Sequence, residues 1–423
     1  MTVVVGSLLP QCVNAAIKDK GLLTFVLQEY QGQEEAEALT RQIPELYRQR
    51  RFDEAIKMAE RVVAIVERAF GRQHQNVGIS LSNLAVLYSA KGEYRRAEEL
   101  FNRANAIFEK TLGSDHAITV MNLNALGDVY KAERDYERAR QIYSKVMEVR
   151  ERTLGPEHPD VAASLNSLGL LYDAQRDFKR AEPLFTRSLS ILEKAVGPET
   201  AEVAACLGYL GEHYRALGDL NKALPFLRRA MALSEKVFGP EQLQTANSAM
   251  ALGNVVAQRG EYDEAEHLLR RALAIREKLL GSAHLDVANC LNDLGSLYFD
   301  KGDYKNAERI YRSALETYSK AVTENDVVLV PCLQNLASLY TRMGDYSRAE
   351  PIFQRVLTIR ELVSGTSTPE FATNLSNMAV LYQEKGDYAK SEQFYQRALV
   401  ILERALGLGL RWTPKSRQLR ART

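Results

Sequence analysis

The residues of this chain best suited to chemistry are its six histidines and four cysteines. The stretch GPEHPDVAASLNSLGLLY, Gly155 to Tyr172, sets His158 beside Pro159 and Asp160. An imidazole next to a carboxylate suits a general base or a metal ligand. Spacing argues against both. At steps of 42 residues, the place of His158 holds His74, His116, Thr200, Gln242, His284, Asp326 and Thr368. The next place holds Gln75, Ala117, Pro159, Ala201, Leu243, Leu285, Val327 and Pro369. The shared property is a short polar side chain able to satisfy free amides at a helix start, where proline is also tolerated. Packed helices put successive copies on the order of 10 Å apart, too far to share an ion at Zn–N distances of about 2 Å. The four linker histidines are therefore expected to be joints between helices.

The other chemical candidates yield to similar arguments. Cys206, Cys290 and Cys332 share one repeat place, filled elsewhere by Ser80, Asn122, Ser164, Ser248 and Asn374. That place asks for a small residue, and Cα atoms about 10 Å apart exceed the ~7 Å limit of a disulfide. His213 and His267 lie inside helices at unrelated repeat places and are expected to be ordinary surface or groove histidines. No phosphate-binding glycine loop, metalloprotease helix motif or nucleophile elbow is present. The expectation is a chain with no catalytic residue, no metal and no cofactor, and not an enzyme.

Beneath these residues lies one unit written repeatedly. Tyrosines fall at Tyr88, Tyr130, Tyr172, Tyr214, Tyr298, Tyr340 and Tyr382, spaced by 42 or, across Val256, by twice that. Alanines at Ala97, Ala139, Ala181, Ala223, Ala265, Ala307 and Ala349, then Ser391, keep the same step. Leu81, Leu84, Ala85 and Tyr88 are spaced by three and four and make one helical face; Ala97, Phe101 and Ala104 make another. A tight turn separates the two helices, with glycine in most copies and Arg134 or Arg176 in two. A glycine such as Gly113 or Gly155 closes the second helix. Small residues mark where helix backbones approach most closely. One such hairpin cannot bury its apolar face alone, whereas stacked copies can.

Leu81-x-x-Leu84-Ala85-x-x-Tyr88 followed by Ala97-x-x-x-Phe101-x-x-Ala104 resembles the tetratricopeptide repeat. The 42-residue period, the LG-x-x-HP-x-VA linkers and the RAL-x-I-x-E second helices are similar to the kinesin light chain type of that repeat. The resemblance covers about residues 39–407. It implies an all-α fold, a right-handed superhelical α-solenoid of stacked helix-turn-helix repeats. It also implies a non-enzymatic scaffold or adaptor that takes a partner peptide or helix in its concave groove. The organisation expected is an N-terminal segment at 1–33, a degenerate capping unit at 34–76, eight repeats at 77–407 and a basic mobile tail at 408–423. His158-Pro159-Asp160 also resembles the J-domain co-chaperone signature, but a J-domain needs a compact helical body where repeats already stand.

Composition bounds the partners. Hydrophobic residues at 46% and charged residues at 26% read as folded and soluble. Net charge is +1, and residues 411–423 hold five basic side chains with no acid, so residues 1–410 stand at −4. No specific nucleic-acid contact is expected, only salt-sensitive attraction at the tail. No apolar run reaches the ~20 residues of a membrane span, and the apolar N-terminus lacks the basic region of a signal peptide, so a cytoplasmic location is expected.

The first helix of each pair lines the concave surface in the family resembled. Groove candidates follow by register: Asn83, Asn124, Asp128, Lys131, Asn166, Tyr209, Arg215, Asn247, Asn254, Asn289, Asn292, Asp293, Asn335, Arg342 and Asn377. Asparagine is poor inside a helix, so its recurrence on one face asks for a reason. Its amide can bracket the backbone of an extended peptide, or it can bridge neighbouring repeats. The family's chaperone-binding carboxylate clamp needs paired cations. The corresponding rung holds Ile79, Met121, Ala163, Ala205, Asn247, Asn289, Pro331 and Thr373 instead. Partner identity and oligomeric state are not legible in the sequence. An alternative organisation is a sensory or regulatory portion of a larger multidomain signalling, protease-like or ATPase protein.

Overall fold

The computed structural model describes residues 32–405. The expected N-terminal segment, apart from its last residues, and the expected basic tail lie outside the described residues. Two compact units divide the chain, one up to Pro240 and one from Glu241 onward.

Unit 1 is built of five helical hairpins: α1 (Gln33–Arg48) with α2 (Phe52–Phe70), α3 (Gln75–Lys91) with α4 (Tyr94–Thr111), α5 (Ala117–Glu133) with α6 (Tyr136–Leu154), α7 (Pro159–Ala174) with α8 (Phe178–Ala195), and α9 (Ala201–Leu217) with α10 (Leu220–Phe238). Unit 2 holds four: α11 (Leu243–Gln258) with α12 (Tyr262–Leu280), α13 (Leu285–Asp300) with α14 (Tyr304–Ala321), α15 (Val330–Arg342) with α16 (Tyr346–Ser364), and α17 (Pro369–Glu384) with α18 (Tyr388–Ala405). A single 3-10 turn, Val327–Leu329, precedes α15. There Asp326 caps the 3-10 turn through the Val328 amide, and the α-helix starts only at Val330, next to Pro331. The fold is all-α, an α-solenoid of stacked helix-turn-helix repeats.

The joints form as their chemistry requires. His74, His116, His158 and His284 each accept, through Nδ1, the amide N–H two residues on, at 3.1–3.2 Å. Thr200 and Thr368 cap the amide three residues on. Gln242 stands at the same place without a side-chain cap bond. The turn inside each hairpin needs left-handed backbone. Most copies place glycine there, whereas Arg50, Arg134 and Arg176 adopt φ of 56°, 66° and 61°, a conformation that costs an ordinary residue about 1–2 kcal/mol.

Within each unit the core lies between the helices of each hairpin and between successive hairpins. Ala97, Ala139, Ala181, Ala223, Ala265, Ala307 and Ala349 are all fully buried, and so is Ala55 of the first hairpin. Opposite them, aromatic rings, or Leu227 and Leu269 in two copies, fill the remaining space. A Cβ added at Gly127 would stand 2.6 Å from the Tyr143 ring, and one at Gly169 2.7 Å from Phe185. A polar seam runs beside this core. The hydroxyls of Tyr130 and Tyr214 in unit 1 donate to Glu98 and Glu182 of the preceding hairpin at 2.8 and 2.6 Å. In unit 2, Tyr298, Tyr340 and Tyr382 donate likewise to Glu266, Glu308 and Glu350.

Two predictions follow from this packing. Gly127→Ala should destabilise by about 1–3 kcal/mol through overpacking, while Gly208→Ala, whose Cβ would meet nothing within 4 Å, should stabilise by up to about 1 kcal/mol through helix propensity. Urea unfolding of the two variants would show shifts of opposite sign. The tyrosine seam predicts stability lost at both ends of the pH scale. Glu266 and Glu350 are held below the usual carboxylate range, chiefly by the bonds from Tyr298 and Tyr382. Their contribution is present above the unfolded carboxylate pKa of about 4.3 and is lost as pH falls through the lower folded value. Burial, aided by the glutamates, pushes Tyr214 and Tyr382 up to about 12. Their contribution is complete below the unfolded value of about 10 and disappears as pH rises through the folded one. Melting temperatures across the range should fall on both flanks, and Tyr214→Phe/Tyr382→Phe should flatten the alkaline one.

Candidate functional site

The face that could meet a partner belongs to the odd-numbered helices. Within unit 1, α3 touches α5 and α7 touches α9; within unit 2, α11 touches α13 and α13 touches α15. Direct contact between successive odd helices places them on the inner side of each unit's curvature. Side chains bridge them. In unit 1, Ser82 Oγ donates to Asn122 Oδ1 at 2.7 Å, and Asn122 Nδ2 donates to the Phe101 carbonyl at 3.0 Å. The Cys206 thiol lies 3.6 Å from Asn166 Oδ1. In unit 2, Asn254 Nδ2 donates to Asp293 Oδ2 at 3.0 Å, and Asn335 Nδ2 to Asn292 Oδ1 at 3.0 Å. Gln334 donates to Asn374.

The sequence-derived groove residues thus divide in two. Asn166, Asn254, Asn292, Asp293 and Asn335 spend side-chain polarity on the neighbouring helix, and Asn292 is buried. Asn247 accepts from Arg276 Nη2 at 2.6 Å, and Asn289 accepts from the Tyr318 hydroxyl. Asp128 accepts from Tyr143 at 2.6 Å and from Lys131 at 3.1 Å, closing a three-member cluster. Arg215 grips Glu212 one helical turn away. Bridging between repeats accounts for much of the asparagine recurrence. The open remainder is Asn83 and Arg342, both exposed, with Asn124 and Asn377 half-buried, while Tyr209 is half-buried against the Phe185 ring at a centroid distance of 6.2 Å. Asn124 Oδ1 is buried without a hydrogen-bond partner. In the same row of successive odd helices stand Ser82, Asn124, Asn166 and Gly208. At Gly208 the row opens, since a Cβ there would meet nothing within 4 Å. Ser89, also on α3, is buried.

His213 corrects another expectation. It is neither a surface nor a groove residue but is fully buried, at a place where other copies carry leucine or valine such as Leu171 and Val255. Its Nδ1 lies 2.7 Å from Asp173 Oδ1, and the rings of Phe178, Phe185 and Tyr214 surround it at centroid distances of 5.2–5.8 Å. Burial pushes the Asp173 carboxyl up, against the opposing His213 bond. Nε2 has no partner, so the pair has no nucleophile to activate. Reading His213 against its register place would have revealed it as a core residue. His267, by contrast, is exposed. The thiols of Cys206, Cys290 and Cys332 are buried and free, and burial raises all three pKa values, which leaves them inert as nucleophiles. Among the described residues no cluster of three or more His, Cys, Asp or Glu could hold a metal ion, and no helix is long and apolar enough to cross a membrane.

The tetratricopeptide repeat family matches residues 46–110, 117–194, 202–278, 248–320 and 329–413. The chain belongs to that family. A Rap protein solved in complex with competence and sporulation factor covers 88% of this tetratricopeptide repeat chain and 99% of its own, at 16% identity and TM-score 0.57. A kinesin light chain-type repeat protein of Podosopora anserina covers 48% of this chain and 97% of its own, at 27% identity and TM-score 0.40. The RxLR effector SFI4 of Phytophthora infestans is 46% identical over 52 residues, which is 12% of this chain and 15% of the effector's length. Tetratricopeptide repeats typically mediate protein–protein interactions and are generally non-enzymatic.

Replacing the buried pair with residues its register tolerates should help folding. His213→Leu/Asp173→Ala removes an unpaired buried nitrogen and is expected to raise stability by about 1–3 kcal/mol, read as a higher urea midpoint.

Proposed function

We propose that this protein is a non-enzymatic interaction scaffold that captures an extended segment of a partner along the odd-helix faces. The observation that carries the reading is the row Ser82, Asn124, Asn166, Gly208 on α3, α5, α7 and α9. It combines a buried amide oxygen without a partner with a glycine whose missing side chain leaves open space. A mid-helix glycine costs about 1 kcal/mol relative to alanine, and no internal contact at Gly208 repays it. Close approach of another chain does. Asn124 Oδ1 is then free to accept a peptide N–H, while Asn83 and Tyr209 flank the path. The bridging asparagines act indirectly, by fixing the spacing of the rungs.

Gly208→Leu fills the open space, and Asn124→Ala removes the acceptor. Both variants should keep the wild-type melting temperature within a few degrees while losing about tenfold or more of partner recovery in affinity capture. Recovery equal to wild type for every co-purifying protein would reject the groove.

A further inference from the structure

Arg276 of α12 is only 4% exposed, and among the described residues no carboxylate lies within ion-pair distance of it. Its acceptors are all neutral. Nη1 donates to the Asp286 carbonyl at 3.0 Å, to Cys290 Sγ at 3.2 Å and to Met250 Sδ at 3.3 Å. Nη2 donates to Asn247 Oδ1 at 2.6 Å. Nε is buried without a partner. The side chain therefore threads from an even helix between α11 and α13 toward the inner face of unit 2. A buried cation normally touches its counter-ion, and here, among the described residues, none does. Of the nearby carboxylates, Asp293 accepts from Asn254 at 3.0 Å, and the Asp286 side chain is 40% exposed to solvent.

The bond to Asn247 also sets an orientation. A guanidinium only donates, so the atom of Asn247 that meets it is the amide oxygen. The amide nitrogen of this exposed residue then turns toward the open face. On the next odd helix, Asn289 occupies the same register place, and its Oδ1 accepts from Tyr318 of α14, the register equivalent of Arg276. Two amide N–H2 groups thus face outward on successive rungs, and behind the first sits a buried positive charge with no carboxylate in direct contact. Donors backed by a cation select an anion with paired acceptor atoms.

We propose that Arg276 and Asn247 form a binding subsite for the carboxylate of an aspartate or glutamate side chain in an extended partner segment. This rests on the reading of the odd-helix face as the partner-binding surface. The second amide rung at Asn289 favours a side chain within a continuing segment over a chain end. The cation comes from beneath the groove, on an even helix, and not from the rungs where the sequence shows neither lysine nor arginine.

Selection of random dodecapeptides, displayed with flanking sequence on both sides, against the full chain tests the subsite. The expected winners carry an acidic residue at one fixed position. A synthetic winner, acetylated and amidated at its ends, should lose about tenfold or more in affinity when that acid becomes its amide. Arg276→Met should cause a similar loss, and the two changes together should cost little more than either alone. Asn247→Leu, at an exposed position, should reproduce the loss and serves should Arg276→Met fail to fold. The subsite is overturned by winners without acidic enrichment. It is also overturned by an acid-to-amide penalty that Arg276→Met and Asn247→Leu leave intact, or by binding that requires a free C-terminal carboxylate. Winners that bind without an acid yet are lost with Gly208→Leu would sink the subsite alone and spare the groove. Selection of no peptide would remove both.

Discussion

In each described hairpin a single small side chain sits where two helix backbones come closest, and that contact constrains everything around it. Ala55, Ala97, Ala139, Ala181 and Ala223 in unit 1, and Ala265, Ala307 and Ala349 in unit 2, have no exposed surface at all. Backbones brought that near leave a wedge of space on either side, and the facing ring, or leucine at Leu227 and Leu269, must fill it. The facing residue on the first helix is then limited to what the ring allows. Where it is glycine, as at Gly127 and Gly295, even a methyl would stand 2.6 Å from the ring. Interior packing at near-crystalline density explains why the 42-residue step tolerates no slip: an inserted residue would move every methyl off its contact.

Apolar packing alone does not set the rotation of one hairpin on the next, because a ring and a methyl are indifferent to small turns. The tyrosine-to-glutamate bonds are directional and supply that constraint. Charged neighbours tighten it. Arg138 lies over the Tyr130 ring at 4.2 Å, and Arg348 over Tyr340 at 4.1 Å, while each also pairs with the glutamate that its tyrosine bonds. The amide bridges between odd helices act on the opposite side of the same hairpins. A repeat with both kinds of bond is thus held at two edges by polar contacts and at its centre by volume, whereas Val256, at the tyrosine place of α11, makes no such bond.

The fold was legible because its determinants are local and repeated. The alanine step, the helical spacing of leucines and the capping polar residues at His74 or Thr200 each follow from one helix read alone. The face of the odd helices was legible for the same reason. What each side chain does on that face was not. Asn166 meets Cys206, and Ser82 meets Asn122, each pair separated by 40 residues. Whether an amide points across a joint or outward depends on the neighbour's size at one place. A small residue or thiol there draws the amide inward, and a glycine such as Gly208 leaves the row open. Asn83 and Asn335 share a register place, yet one is exposed and the other is bound to two neighbours. His213 was missed because a histidine draws attention as chemistry, while its register place holds leucine or valine in every other copy.

This division between packing and surface explains how such a chain can change partners without changing fold. Positions that hold the wedge admit alanine or glycine and little else, so variation there is costly. Positions on the odd-helix face are half-exposed, and their identities vary widely, from Ile79 to Asn247 to Pro331. The even helices contribute as well, since a long side chain can pass between two odd helices and act from below. Phe108, Arg150, Leu192, Ser234, Arg276 and Tyr318 occupy one such place. Arg150 and Arg276 use the same anchor, a carbonyl at the start of the following helix, and Tyr318 uses its hydroxyl to hold an asparagine. A substitution at this hidden place therefore alters the charge and amide orientation of the odd-helix face while the visible rungs stay unchanged. Specificity in a stacked-helix scaffold can reside one layer beneath the surface that the partner touches.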